Sequence, residues 1–453
     1  MARTVSKGGG EGRKGLMRGS GRRALLVVVL AVAGVASVAL VRHAKHSRMV
    51  AAAIRDPSMV AIRNLVEVGK LSEATARLNA TYRFNNTPGL IALQQFSLIV
   101  LRRGLKEHDI FEKCFAASAL AGSGEDEGVH LLLDAFNNNP DLSVKMAVAD
   151  GLGQDGNRKS VEILSDLYYH AQPFDRRIIV EGLSAATDPS AVTVLMEATH
   201  SKDKMVRLGA LKSLGSLGNR KALPLLHEVL NNSKDYDAFD RVMASRSLLL
   251  LGDQSGVAYL RQVVFDRSQD TNARAVAAVA LGFANDPSAV PLLKQALTDH
   301  KLEVRIGAAA ALTHYGDSMG AEYLKNSLAN SDDVTRLEIS QLFEDLGQDV
   351  GAAVILSGLN SPYANVQLAA IKALATTGNE RNAALLSGLL RDHNDPTVRA
   401  EVAWALGRIG SSSSIATLLV MVPEQEPMVR YTAADSLNHI ATHLLGADGG
   451  WRI

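Results

Sequence analysis

Between Asp203 and Leu230 the apolar residues Val206, Ala210, Leu214 and Leu217 recur at helical spacing, so the pattern predicts a helix with one buried face. Gly218 can take the left-handed conformation that ends such a helix, and Asn219 can cap the next. Leu223, Leu226 and Leu230 give a second helix its own apolar side. Two short helices of this kind cannot bury those faces alone and need neighbours on either side.

The rest of the chain supplies the neighbours. Equivalents of Arg207 fall at Lys113, Lys145, Arg176, Arg241, Arg274, Arg305, Arg336, Gln367, Arg399 and Arg430, spaced by 31 to 34 residues. Seven residues beyond each anchor stands leucine, or phenylalanine at Phe343. Eleven beyond it stands glycine, except at Thr187, Asn285 and Ala441. The expected fold is all-α: a right-handed α-solenoid of about eleven helical hairpins over 109–446. A short helical module at 42–108 leads into it, and a tail at 447–453 follows it. Within that module the pattern predicts helices over 58–68, 71–78 and 90–103, covering the apolar end of the first repeat.

An acid stands four residues before the anchor in most copies, among them Asp109, Asp141, Asp203 and Asp395. That spacing predicts a helix cap that also pairs with the anchor base one turn on, a structural ladder in place of a phosphate-binding one. On the second helices the residues 20 and 21 beyond the anchor are mostly polar in the earlier repeats. In three later repeats they become Leu356 and Ser357, Ser387 and Gly388, and Leu419 and Val420. With stacked second helices lining a concave surface, these six are the candidate contact residues for a protein partner.

Charge alters the picture at one end. The chain of 453 residues has a formal net charge of +1, divided as +9 over residues 1–50 and −8 over the rest. A mildly acidic array is a poor partner for nucleic acid. The basic residues at 1–23 form a glycine-rich tail before an uncharged run, 24–41, long enough at about 27 Å to cross a hydrocarbon core. The charge bias around 24–41 predicts a single-pass anchor with a cytoplasmic N-terminus and an extracytoplasmic array. A cleaved signal sequence, giving a secreted or periplasmic protein, is the rival reading. The lone Cys114 excludes an intrachain disulfide.

The pattern D-x-x-V-R-x-x-A-x-x-A-L-x-x-x-G, seen at Asp203–Gly218 and Asp395–Gly410, resembles HEAT repeats, in particular the short bacterial type of the phycobilisome lyases. The resemblance implies a scaffold that binds a protein without catalysis, or else a lyase or lyase-chaperone subunit acting on a cofactor-bearing protein. Deoxyhypusine hydroxylase is also a HEAT array, with repeated His-Glu pairs as iron ligands. Here His227-Glu228 is one such pair where that family needs four. From these residues no catalytic group, metal, cofactor or small-molecule substrate is expected, and the partner is a protein.

Overall fold

The computed structural model describes residues 44–123, 125–186, 188–330, 352–375, 380–390 and 394–447, which are helical with short turns and contain no strand. The chain divides into two units, Met1–Val60 and Ala61–Ile453. In the first, a helix over 44–55 (α1) ends at Asp56, whose carboxylate accepts from the Ser58 N–H at 2.7 Å. This opens α2 (Pro57–Glu67), which runs on into the second unit. Among the described residues no helix is long and apolar enough to cross a membrane. The expected anchor 24–41 lies outside them, as do the tail residues 448–453.

Left-handed Gly69 breaks the chain after α2, and α3 (Leu71–Thr81) and α4 (Thr87–Gly104) follow. Hairpins then succeed one another. They are α5 (Ile110–Gly122) with α6 (Asp126–Asn138), α7 (Leu142–Asp155) with α8 (Arg158–His170), and α9 (Asp175–Ser184) with α10 (Ala191–Ala198). Next come α11 (Lys204–Ser216) with α12 (Leu223–Asn231), α13 (Ala238–Leu250) with α14 (Val257–Phe265), and α15 (Thr271–Gly282) with α16 (Ala289–Ala296). After α17 (Leu302–His314) and α18 (Ser318–Asn330) the description resumes at α19 (Ala352–Leu359). It continues with α20 (Ala364–Ala375), α21 (Glu380–Leu389), α22 (Pro396–Ile409) and α23 (Ile415–Met421). The eleventh anchor, Arg430, sits in a single helix, α24 (Pro427–Ala447), where a hairpin was expected.

The acid four residues before the anchor caps its helix as the spacing predicts. Asp109, Asp141, Asp203, Asp237, Asp270 and Asp395 each accept from backbone N–H groups two or three residues on. The left-handed glycines that close first helices include Gly156, Gly218, Gly252, Gly316 and Gly410, and Asn285 takes the same conformation where glycine is missing. The pairing half of the expectation is corrected. The anchor base reaches back, not along its own helix: Arg207 donates to the Ser201 carbonyl at 3.0 Å, Arg305 to Asp299 at 2.7 Å, and Gln367 to Ser361 at 2.7 Å. It also reaches sideways to an acid of the following repeat or loop. Lys145 meets Asp175 at 2.6 Å, Arg207 meets Asp240 at 3.0 Å, Arg274 meets Asp299 at 2.5 Å, and Arg399 meets Glu424. The ladder joins repeats.

Successive first helices touch backbone to backbone, whereas successive second helices barely meet. A Cβ on Gly153 would lie 2.2 Å from the Gly182 carbonyl oxygen, and one on Gly182 would lie 2.4 Å from that of Ala149. Gly215 faces Ser247 and Gly407 faces Ser436 in the same way, eight residues past one anchor against six past the next. Those serines donate across the contact, Ser247 to Leu211 at 2.6 Å and Ser436 to Ala403 at 2.8 Å. Helices this close occupy the inside of a curve, so the first helices, not the second, line the concave side.

The curve closes. Helix α24 packs on α4 and α5, the beginning of the repeat unit. Tyr431 crosses Gly104 so closely that a Cβ there would lie 2.8 Å from the ring. Its hydroxyl donates to Glu107 at 2.5 Å, Arg430 pairs with the same carboxylate at 3.4 Å, and Asn438 donates to Ser123 at 2.7 Å. Burial pushes the Tyr431 phenol up to about 12, and its bond to Glu107 adds to the rise. The Arg430–Glu107 pair carries the inter-repeat ladder across the seam. Helix α4, apolar on nearly every side from Leu90 to Leu101, is buried because repeats flank it on both faces.

Candidate functional site

On α5, α7 and α9, residues two before, two after or five after an anchor (Phe111, Phe115, Ser143, Ala147, Asp150, Ile178 and Glu181) line, with Met146 and Gly182, a groove of about 380 Å³. Phe111 and Met146 are exposed, and their apolar surface is uncovered in the chain. Asp150 and Glu181 are exposed carboxylates on the groove wall.

A second cavity, of about 70 Å³, lies at the seam between the first and last repeats. Phe115 and Asp150 line both, so groove and cavity adjoin. Ser118 and Gly151 come from the early helices, Trp404, Gly407 and Arg408 from α22, and Tyr431, Thr432, Asp435, Ser436 and His439 from α24. The Arg408 guanidinium stands over the Trp404 ring at 6.0 Å. Asp435 Oδ1 is shut off from solvent without a hydrogen-bond partner, and His439 Nε2 is 3.6 Å away. Burial pushes the Asp435 carboxyl above the usual carboxylate range, against the pull of His439. None of this was read from sequence, because the seam joins helices more than 300 residues apart.

The six residues expected to contact a partner lie on α19, α21 and α23, in the outer layer. Leu356 and Val420 are exposed, and Ser357, Ser387 and Gly388 are partly covered. Leu419 is 1% exposed and belongs to the core, which removes it from any surface. These residues do not reach the concave side. The position 20 beyond the anchor makes a second ladder: Arg261 pairs with Asp286 at 2.6 Å, Lys294 with Asp317 at 2.7 Å, and His227 with Asp253 at 3.0 Å.

His227 therefore holds a place filled by Arg and Lys in neighbouring repeats. Ser255 gives its hydroxyl to Asp253 at 2.5 Å and lies 3.5 Å from the His227 ring, so the three form a turn cap in place of a nucleophile relay. Among the described residues no three His, Cys, Asp or Glu side chains are grouped to hold a metal ion. The His227 ring is taken up by Asp253 at 3.0 Å, the same ladder role that Arg261 and Lys294 fill in later repeats. Cys114 is buried, and burial pushes its thiol up to about 11, away from the thiolate a nucleophile needs.

A family profile for HEAT repeats matches residues 172–245, 257–342 and 352–438. Deoxyhypusine hydroxylase of Candida albicans is 26% identical over 290 residues, which are 54% of this chain and 89% of that protein. Among solved structures, the complex of CpcE and CpcF of phycocyanin lyase from a Nostoc species is 20% identical over 58% of this chain and 93% of that one, with a TM-score of 0.36. Human deoxyhypusine hydroxylase is 17% identical over 71% of this chain and 98% of that one, with a TM-score of 0.30. The relative that aligns with more than half of this sequence is named as an enzyme, which overturns the expectation that the chain is none. With the repeats matched over more than half of its residues, and the hairpins on view from α5 to α23, the chain belongs to the HEAT-repeat family.

Proposed function

We propose that this HEAT array holds an extended segment of a partner protein along its inner face, at a membrane to which residues 24–41 tether it. The observation that carries the reading is the groove across α5, α7 and α9, where Phe111, Phe115, Met146 and Ile178 offer apolar surface bordered by Asp150 and Glu181. Apolar patches rimmed by polar residues mark protein contacts. A photo-crosslinking amino acid placed at Met146 in the intact protein tests it, with Met319 on the outer α18 as the comparison. A recurrent polypeptide adduct at Met146 and not at Met319 is expected; equal adducts at both positions overturn the reading.

The tether has its own test. Alkaline phosphatase fused after Ile453 is expected to be active and green fluorescent protein at the same place dark, and the reverse pair of results refutes an exported array. The enzyme name of the relative favours a second reading, in which the same groove presents a protein substrate for modification. Binding and turnover separate the two: a mass change in the crosslinked polypeptide after incubation with the intact protein favours the enzyme.

A further inference from the structure

We infer that the segment held in the groove carries a basic side chain, lysine or arginine between apolar residues, and that this side chain enters the seam cavity against Asp435. The inference rests on the reading that the groove holds a polypeptide, and it names what that polypeptide must contain. Groove and cavity adjoin, since Phe115 and Asp150 line both. The groove end accepts apolar side chains beside Phe111, Met146 and Ile178. The cavity end is different. Its walls include the rings of Phe115, Trp404 and Tyr431 together with the part-exposed carboxylate of Asp435, whose Oδ1 is turned to His439 Nε2 at 3.6 Å.

A carboxylate in a small, partly desolvated cavity gains charge pairing and a hydrogen bond together when a cation is brought against it. Aromatic faces around the same space favour a cation over an anion. Along groove and cavity the carboxylates are Glu181, Asp150 and Asp435, facing Arg408 at the far lip and His439 beside Asp435. The Arg408 guanidinium lies over the Trp404 ring at 6.0 Å. The small volume admits the end of one side chain, not a backbone. Lys145, an anchor base on these helices, is committed to Asp175 at 2.6 Å.

The test uses the full chain and fluorescent nonapeptides of alternating leucine and lysine, with leucine and glutamine as the neutral counterpart. The lysine peptide is expected to bind at least tenfold more tightly than the glutamine peptide. Asp435→Asn is expected to erase that advantage and leave the glutamine peptide unchanged. Glu322→Gln on the outer α18 is expected to change neither. Loss of both peptides in Met146→Asp identifies the groove as the binding place. If Asp435→Asn keeps the full tenfold preference, the inference fails while the groove reading stands. If neither peptide responds to Met146→Asp, or neither binds at millimolar concentration, both fail. Thermal melting of each variant separates loss of a ligand from loss of the fold.

Discussion

At the scale of single residues, glycine and aspartate carry the repeat. Where first helices touch, a methyl group has no room: a Cβ on Gly407 would stand 2.5 Å from Ser436 Oγ and 2.9 Å from its Cα. Gly407→Ala is expected to cost about 1–3 kcal/mol in urea denaturation, the usual range for overpacking. Gly388, on the outer α21, has nothing within 4 Å, so Gly388→Ala should gain about 0.5–1 kcal/mol from helix propensity. The aspartates set the response to acid. Hydrogen bonds from Ser190, Ser255 and Lys294 hold Asp188, Asp253 and Asp317 below the ordinary carboxylate range. Their folded values are depressed, so their contribution is fully present above the unfolded value near pH ~4 and is lost as pH falls through the folded ones. Asp435 has the opposite sign. Its raised value means the fold bears a cost when it is charged, and that cost lifts as pH falls. Asp435→Asn should therefore raise the melting temperature at pH 8 more than at pH 4.5, as calorimetry at the two pH values can check.

At the scale of elements, hairpins stack through charge pairs of unequal depth. Arg274 and Asp299 are 3% and 9% exposed, and removing the arginine leaves the buried carboxylate with only the more exposed His300 beside it. Arg274→Ala should cost about 3–5 kcal/mol. Arg177 at 44% exposure pairs with Asp203 in water's reach, and Arg177→Ala should cost less than about 1 kcal/mol. Chemical denaturation of the two variants decides the ranking. The hairpins, their caps and their glycine stops were legible in the sequence because each is set by residues within a turn or two. Which helix faces inward was not read correctly, since both helices of a hairpin are amphipathic and periodicity alone does not rank them. The signal was present in Gly153, Gly215, Gly282 and Gly407, all eight past an anchor, where only small residues permit so close an approach. Leu419 misled because an apolar residue at one register position reads alike as surface anchor and as core.

At the scale of the whole repeat unit, closure separates this array from an open solenoid. It stayed hidden in the sequence because α4 and α24 match no repeat template together, and their contact spans the unit. An open array frays from its ends, each end repeat having lost one neighbour. Here the first repeat has its missing neighbour restored by the last helix. That arrangement imposes an order on synthesis. The 323 residues between Glu107 and Arg430 take about 16–65 s to make at roughly 5–20 residues per second. Throughout that interval the side of α4 that will meet α24, including Gly104, stands open to anything apolar nearby. A chain ended before Pro427 should keep most of its helix signal, bind a hydrophobic dye and aggregate. Adding residues 427–447 back as a separate peptide should reverse both. A newborn chain thus meets its surroundings with an unsealed seam, and α24, made long after α4, is the helix that shuts it.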